Sequence, residues 1–239
     1  MRYAGRIDAQ QEHASQAATS FWGRPAARAA APSSRRRGPG STPEGRRSRD
    51  RVLAASLDLI TEVGIDRVRL EEIARRAGMS SGQVMYYFTT KEHILLETLA
   101  WREYEDTRKR RASLGKAGGA WRQLERFTDL YLPASPADPS WILWIEAWAR
   151  APHSAEVSRF LDELVCPWRE DLAEIVGRGQ RDGAFDLRRE TDEFTICYCA
   201  LLDGLAILHL RQMPDMPRQH LIDLAMNAAR TGLAGTAQS

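Results

Sequence analysis

The residues of this sequence best suited to chemistry are hydrogen-bond donors and acceptors gathered between Ser80 and Lys91. Ser80-Ser81-Gly82-Gln83 opens a short helical segment, and the adjacent Tyr86 and Tyr87 close it. An amide side chain such as that of Gln83 can pair with an adenine edge through two hydrogen bonds, and hydroxyl groups suit phosphate oxygens. This combination indicates recognition of DNA rather than the making or breaking of bonds.

Groups for catalysis or metal binding show no comparable arrangement. The five histidines are scattered, with no His-x-x-x-His pair, and no phosphate loop is present. Cys166, Cys197 and Cys199 are too few for a disulfide framework, which favours reduced thiols in a cytoplasmic protein. We therefore expect no enzymatic activity, no metal and no cofactor.

Charge is distributed unevenly along the chain. Residues 1–45 carry seven arginines against three acids, residues 46–91 nine basic against six acidic residues, and residues 92–239 eighteen basic against twenty-three acidic. A basic front suits a polyanionic partner there. The composition of residues 1–45 predicts a disordered tail, which either adds non-specific attraction to phosphates or has no role.

The chain shows no segment typical of a membrane span. The longest apolar stretch, Ile196 to Leu208, is interrupted by Asp203 and Gly204, and a span needs about 18–20 apolar residues. We therefore expect a protein that does not cross the membrane.

Hydrophobic periodicity predicts that the polar group near Ser80 is positioned by short helices. A first helix runs from Arg49 to Val63, with Val63 on its apolar face, and a second from Leu70 to Ala77 has apolar residues at i, i+3, i+4 and i+7. A short turn with Gly78 leads to a third helix, Ser81 to Tyr87, capped by Ser80. Two short helices joined through such a turn are typical of a helix-turn-helix motif.

The following residues predict further helices and no strand. Thr89 and Glu92 fit a capping box for the fourth helix, with Thr90 as the alternative cap. Lys91 lies where a docked phosphate would favour a cation, although a solvated lysine is the alternative. The predicted ranges are 90–111, 120–131, 138–148, 155–179 with a kink at Pro167, 190–210 and 218–233. The fold class is all-α, about nine helices, with a helix-turn-helix domain at 46–91 and a larger helical domain at 92–239.

The spacing of the front motif resembles the DNA-binding domain of the tetracycline-repressor (TetR) family. The resemblance lies in Ile73-Ala74-x-x-Ala77-Gly78-Met79-Ser80-x-Gly82 and Tyr86-Tyr87-Phe88-x-x-Lys91-Glu92-x-Ile94-Leu95. It implies a homodimeric, ligand-responsive transcription regulator, most often a repressor. Two positions depart from the family: Arg69 replaces a frequent capping Thr, and Met85 replaces a common Tyr.

The resemblance also implies which residues contact DNA. Gln83 is the candidate for a base edge, Gly82 allows close backbone approach, and the others position the protein on phosphates. Tyr86 or Tyr87 could instead pack inside the small domain. The candidates are Arg69, Ser81, Gly82, Gln83, Tyr86, Tyr87 and Lys91, with Arg46, Arg47 and Arg49 ahead of the first helix adding phosphate contacts.

Seven tryptophans are present, and five fall in the predicted fifth to seventh helices. They form either an aromatic pocket for a flat or cationic effector or an ordinary core. Glu146 is a candidate counter-charge for a cation. Because helices four to seven line the effector site in the family, the resemblance implies the lining residues Trp101, Tyr104, Phe127, Trp144, Trp148 and Trp168.

Small residues in the last two helices predict either a dimer seam or packing within the chain. Two such helices from each subunit would form a four-helix bundle. The candidate interface residues are Ala200, Leu201, Gly204, Leu205, Leu208, Leu221, Ala225 and Ala228.

These features predict a repressor that a small hydrophobic, aromatic or cationic effector releases from a near-palindromic operator in double-stranded DNA. The alternative is a DNA-binding regulator without an effector, controlled by a protein partner or by abundance. A cavity of several hundred Å3 in the rear domain would favour the first, and a filled core the second.

Overall fold

The computed structural model describes residues 42–187, 190–214 and 216–233, and within these ranges the chain forms nine α-helices and no strand. Residues 1–41, which hold most of the predicted tail, lie outside the described ranges. A 3-10 turn, Ala151–His153, joins the sixth helix to the seventh. The helices are α1 Pro43–Val63, α2 Leu70–Ala77, α3 Ser81–Tyr87, α4 Lys91–Leu114, α5 Ala120–Tyr131, α6 Pro139–Trp148, α7 Ala155–Arg181, α8 Thr191–Leu210 and α9 Arg218–Leu233.

The first helix begins earlier than the sequence predicts. Thr42 Oγ1 accepts a hydrogen bond from Gly45 N at 3.0 Å, and Pro43 occupies the first helical position. A capping threonine followed by proline is a sufficient local start signal, so α1 begins about two turns before Arg49. Residues 43–45, assigned to the tail by composition, are therefore the first turn of α1.

The front domain packs α1, α2 and α3 against the start of α4. Its fully buried side chains include Leu53, Ile60, Val84 and Leu95. Val63, expected on the apolar face of α1, is 40% exposed, because it is the last helical residue before Gly64 turns the chain with a φ of 75°.

The turn between α2 and α3 is fixed by local hydrogen bonds. Gly78 adopts a φ of 67°, a conformation that glycine accommodates without strain, and Ser80 Oγ accepts Gln83 N at 3.2 Å. The cap of α4 is Thr90, whose hydroxyl accepts His93 N at 3.0 Å, so the alternative cap is the correct one and Thr89 is not.

The rear domain is built from α5, α7, α8 and α9 around a second core. Leu124, Phe127, Leu172, Leu202 and Ala225 are fully buried in it. Helix α7 continues through Pro167 to Arg181, and the predicted kink at this proline stays a prediction.

A buried ion pair fastens α4 to α7. Arg110 Nε donates to Asp171 Oδ2 and Arg111 Nε to Asp171 Oδ1, both at 2.7 Å. Both Arg110 and Asp171 are buried. Removing Asp171 is expected to be strongly destabilising, because the charge of Arg110 would remain buried without an acid partner.

Helix α6 belongs to both cores. Leu143, Trp144 and Ala147 pack with the front core, whereas Trp141 packs with the rear core. Asp138 caps this helix by accepting Ser140 N and Trp141 N, and Pro139 occupies its first position, as the sequence predicts. Helix α6 is thus placed between the two halves of the chain.

Among the described residues, α8 alone has the length and apolarity needed to cross a membrane. Part of this apolarity belongs to the rear core, where Leu202 and Ala206 are fully buried. A core helix of this kind meets the same criteria as a membrane span, so the feature is weak support for one.

Candidate DNA-binding surface and small-molecule pocket

Helix α3 presents one face to solvent and one to the front core. Val84 and Phe88 are buried, whereas Gly82, Gln83, Met85 and Tyr86 are exposed, Met85 by 57% and Tyr86 by 64%. Large apolar and aromatic groups held at a surface favour a partner that covers them. The exposed face contains most of the α3 residues predicted to contact DNA.

The side chain of Gln83 forms a hydrogen bond within its own helix cap. Its Oε1 accepts Ser80 N at 2.9 Å, completing a reciprocal capping box with the Ser80 hydroxyl. Pairing through both amide atoms with a base would require this carbonyl oxygen to leave Ser80 N. The amide N–H donors, by contrast, make no hydrogen bond within the described residues.

The run from Gly78 to Gly82 has the spacing Gly-x-Ser-x-Gly, which in some hydrolases surrounds a nucleophilic serine. Here it joins two helices rather than a strand and a helix. Ser80 Oγ accepts the backbone N–H of Gln83 as a helix cap. The serine therefore has a structural role.

The two tyrosines of α3 occupy different environments. Tyr86 is exposed, whereas Tyr87 is half-buried against the front core. Their rings meet edge to face with centroids 5.3 Å apart. Tyr87 therefore packs partly inside the front domain, as the alternative prediction has it, whereas Tyr86 remains at the surface.

Four of the basic candidates are exposed and one, Arg49, is half-buried. Arg46, Arg47 and Arg69 are exposed, and Lys91 is exposed while its Nζ donates to Asp66 O at 3.1 Å. Arg49, by contrast, forms an ion pair with Glu97 of α4, and its guanidinium lies over the Phe88 ring. Arg49 therefore packs against α4, and its predicted phosphate contact stays a prediction.

A cavity of about 470 Å3 lies among α4, α5, α6, α7 and α8. Aromatic and charged side chains form most of its wall, which is completed by Leu130, Leu132, Ala134, Ser140 and Val165. The tryptophans are Trp141, Trp144, Trp148 and Trp168, joined by Tyr131. Its size falls within the range of small-molecule sites.

Glu103 of α4 is the central polar group of this cavity. Trp144 Nε1 donates to its Oε1 at 2.7 Å, and Trp168 Nε1 donates to its Oε2 at 3.0 Å. The residue is only 5% exposed. Desolvation raises the pKa of Glu103, and the two indole hydrogen bonds partly offset that rise by stabilising the ionised form.

The rings around Glu103 lie at angles that create several aromatic faces. Trp144 and Trp148 have centroids 5.5 Å apart, Trp141 and Trp148 5.9 Å, and Tyr131 and Trp168 4.8 Å. Ring faces carry negative electrostatic potential, so tryptophans around a carboxylate form a site suited to an organic cation.

The cationic side chains of the wall are already neutralised, with one exception. Arg102 pairs with Asp106 at 3.0 Å, and Arg218 pairs with Asp129 at 2.7 Å. Arg110 pairs with Asp171, and its guanidinium stacks on Trp168, 3.6 Å from the ring centroid. The exception, Lys109, is exposed to solvent. The wall therefore has no buried cation without an acid partner to attract an anionic ligand.

Four predicted lining residues lie elsewhere. Tyr104 is 73% exposed, because it follows Glu103 and points away from the cavity. Trp101 packs on the front core, and Phe127 lies behind the lining ring of Trp168, 5.6 Å from it. Glu146 is not the counter-charge: its Oε1 accepts Ile65 N at 3.3 Å, on the side of α6 facing the front domain. Trp144, Trp148 and Trp168 do line the cavity, as predicted.

Glu103, Tyr131, Trp141 and Asp203 also line the cavity, and the predicted lining set omits them. A signal for Glu103 exists, because Leu95, Leu99 and Glu103 follow one another at four-residue steps on the buried face of α4. An acid continuing an apolar stripe marks a functional position. Asp203 could have been found in the same way, because it interrupts the apolar stretch of α8.

The candidate interface residues on α8 and α9 are partly inside the chain. Leu205, Leu221 and Ala225 are buried in the rear core, which removes them from any surface that meets a partner. Ala200, Gly204 and Ala228 are exposed, and Leu201 and Leu208 are half-buried. A Cβ added at Gly204 would meet no atom within 4 Å. One face of α8 is therefore left uncovered by the described part of the chain.

Two family models match this chain. Residues 52–98 match bacterial regulatory proteins of the tetR family, and residues 120–234 match the C-terminal domain of BetI-type transcriptional repressors. The HTH-type transcriptional regulator BetI of Escherichia coli O17:K52:H18 (strain UMN026 / ExPEC) is 27% identical over 160 residues, covering 66% of this chain and 79% of that protein.

Solved structures share the fold. A transcriptional regulator from Saccharomonospora viridis in complex with choline superposes with a TM-score of 0.70 at 26% identity, covering 77% of this chain and 95% of that one. A TetR-family regulator from Rhodococcus sp. superposes with a TM-score of 0.67 at 20% identity, covering 79% of this chain and 100% of that one. The second likeness concerns the fold alone.

Proposed function

Because this chain belongs to the TetR family of bacterial regulatory proteins, with a BetI-type C-terminal domain, we propose that its DNA binding is released by a small organic cation. As a TetR-type protein it is a DNA-binding repressor, and the relatives it matches are named as regulators rather than enzymes. The observation that carries the proposal is the carboxylate of Glu103, bonded to two indole N–H groups inside a tryptophan-lined cavity.

The chemistry of the cavity favours a quaternary or substituted ammonium group. Such a cation can lie against several ring faces while its charge faces Glu103, and it needs no hydrogen-bond donors of its own. The choline complex of the regulator from Saccharomonospora viridis, which is 26% identical, supports this class of ligand. A purely aromatic or hydrophobic effector would leave the Glu103 charge without a partner.

The protein acts, on this proposal, as a homodimer on a near-palindromic operator in the cytoplasm. Two copies would pair through the exposed face of α8, including Ala200, Gly204 and Ile207, together with Ala228 of α9. In such a dimer each α3 helix would contact one half-site of the operator. Affinity for DNA would then depend on the distance between the two α3 helices. Small residues on this face allow the helices to approach closely.

The DNA contacts assigned here are those of the exposed face of α3 and the surrounding cations. Gln83 reads a base edge, while Ser81, Gly82 and Tyr86 lie at the same surface. The residues assigned to phosphates are Arg46, Arg47, Arg69, Tyr87 and Lys91.

Release requires that the effector bind two conformations unequally. Helix α4 carries Glu103 at the cavity and begins beside α3, and α6 contacts both cores. A shift of either helix on filling the cavity would change the separation of the two α3 helices. Coupling of this kind is typically about 1–3 kcal/mol.

The alternative, a regulator controlled by a protein partner or by abundance, is less well supported. It predicts a filled rear core, whereas the cavity measures about 470 Å3. An aromatic site containing a buried carboxylate is costly to maintain unless a ligand uses it.

The test begins with selection of binding sites from random DNA by the full chain, followed by titration of the selected operator complex with choline and tetramethylammonium. We expect a two-fold symmetric site whose affinity falls at least tenfold when the cation is added. Glu103→Gln should abolish this response while leaving affinity for DNA intact, and Glu125→Gln, an exposed position on α5, is the matched control. Unchanged operator affinity at saturating cation would refute release by a cation.

A further inference from the structure

A second carboxylate, that of Asp203 on α8, lines the same cavity. Tyr131 Oη donates to its Oδ1 at 2.8 Å, and within the described residues no other group donates a hydrogen bond to Asp203. Burial raises the pKa of Asp203, while the tyrosine hydrogen bond and the charge of Arg169 lower it. This acid lies in the middle of an apolar helix, where a charge is costly unless it has a partner.

Glu103 and Asp203 share one property. Each carboxylate is held by neutral aromatic donors, two indoles for one and a phenol for the other, and neither forms an ion pair with a described residue. The buried and half-buried arginines of the wall are already paired with other acids. One effector cation would therefore satisfy only one of two charges.

Aromatic surface connects the two acids. The Tyr131 ring, bonded through its hydroxyl to Asp203, lies with its centroid 4.8 Å from that of Trp168, which is bonded to Glu103. An apolar linker between two cationic groups would follow this Tyr131–Trp168 pair. The chemistry along the wall thus alternates from carboxylate to rings to carboxylate.

The volume of the cavity also exceeds what a small monocation needs. Choline has seven non-hydrogen atoms, and if each took the roughly 30 Å3 of a liquid water molecule, the total would be about 210 Å3. The cavity of about 470 Å3 is more than twice that size. A longer molecule would fill it and reach both acids.

We infer that the cavity recognises an effector with two cationic centres joined by a short apolar linker, the first at Glu103 and the second at Asp203. Bis-quaternary ammonium compounds and linear diamines belong to this class. The inference rests on the proposed function, because it concerns the same cavity. A hydroxyl group at the second position could hydrogen-bond to Asp203 but would not neutralise its charge.

The test compares matched ligands on the full chain by isothermal titration calorimetry. The probes are bis(trimethylammonium)alkanes with linkers from short to long, each paired with the alkyltrimethylammonium of the same chain length. We expect one linker length to bind at least about tenfold more tightly than its monocation, a difference of about 1.4 kcal/mol. Asp203→Asn, which keeps an acceptor for Tyr131, should remove this advantage, so that dication affinity falls much more than monocation affinity.

The outcomes separate this inference from the proposed function. If no bis-quaternary compound binds more tightly than its matched monocation, or if Asp203→Asn weakens both equally, the second subsite is refuted while release by monocations stands. If neither the dications nor the monocations bind, and Glu103→Gln leaves the response of operator affinity unchanged, both proposals fail. The ligand comparison on the unaltered chain decides the matter even if Asp203→Asn fails to fold.

Discussion

The proposed cation binding by Glu103, which accepts hydrogen bonds from two indole N–H groups, depends on the protonation state of its carboxyl group. The carboxylate form accepts from Trp144 and Trp168 and attracts a cation, whereas the protonated form has no charge to offer. Desolvation raises the pKa of this group, and Asp106 adds to the rise while Arg110 opposes it. Protonation should therefore begin at a higher pH than for an exposed glutamate.

Affinity for tetramethylammonium should fall as the pH is lowered through this raised pKa. Cation binding favours the ionised form, so the loss of affinity appears at a pH where an exposed glutamate would still be charged.

The contribution of Glu103 to folding stability changes in the opposite direction. Because the folded state binds the proton more tightly than the unfolded state, stability is lost as the pH rises through the same range. Calorimetric titration across mildly acidic to neutral pH measures the first effect. Glu103→Gln should bind weakly with a much flatter profile, and a flat profile for the unaltered chain would contradict this assignment.

The position of Gly179 in α7 has no room for a side chain. A Cβ at this position would overlap the ring of Phe185, which is buried and packs edge to face on Trp121. Gly179→Ala should lower the free energy of unfolding by about 1–3 kcal/mol through overpacking. Urea denaturation measures this loss.

The control for this substitution lies one half-turn away. At Gly177 an added Cβ would approach only Arg181 Nη1, at 3.3 Å, which is the end of a flexible side chain. Gly177→Ala should be neutral or stabilising by about 0.5–1 kcal/mol, because alanine favours a helix. Equal destabilisation by both substitutions would show that the Phe185 contact is not the cause.

Helix α6 connects the cavity to the front domain through an ion-pair cluster. Trp141, Trp144 and Trp148 line the cavity from this helix. Just after the last helical turn, Arg150 Nη1 donates to Glu146 Oε2 at 3.0 Å, and Arg150 Nη2 to Asp66 Oδ1 at 2.7 Å. Asp66 belongs to the α1–α2 turn, so a displacement of α6 would be passed directly to the helix-turn-helix domain.

Arg150→Ala should therefore reduce the effect of the cation on operator affinity more than it reduces stability. Asp66 is almost fully exposed, so the ion pair contributes little to folding. We expect coupling between cavity and operator to fall by about 0.5–2 kcal/mol with cation affinity nearly unchanged. Fluorescence anisotropy of labelled operator with and without cation measures the change. Arg159→Ala, at an exposed position on α7, is the control, and full coupling in Arg150→Ala would show that α6 does not transmit the signal by this route.

The element scale also shows what sequence periodicity can predict. The nine helices, the cap at Ser80 and the start of α6 follow from local signals, and all of them are present in the structure. Glu146 lies outside the cavity because its partner, Ile65 N, is distant in sequence. The pairing of Arg49 with the equally distant Glu97 could not be read from a local pattern either. Local patterns define which face of a helix is apolar but not which element will cover it.

At the scale of the whole molecule, the exposed face of α8 is an apolar surface without a partner among the described residues. Ile196, Ala200, Gly204 and Ile207 are exposed, and a Cβ at Gly204 would meet nothing within 4 Å. Apolar and small residues repeated along one helix face are typical of a surface that a second copy covers. The proposed dimer would bury this face and hold two α3 helices at a fixed separation.

Gly204→Arg should therefore convert the protein to a monomer and weaken operator binding on the order of 100-fold, because two linked half-site contacts bind far more tightly than one. A Cβ at this position meets no atom within 4 Å, so folding of the monomer should persist. Analytical ultracentrifugation gives the association state, and anisotropy gives operator affinity. Ala112→Arg, at an exposed position on α4, adds the same charge away from α8 and should leave both unchanged. If Gly204→Arg stays dimeric with full operator affinity, the two copies must meet elsewhere, and the apolar face of α8 would need a different partner.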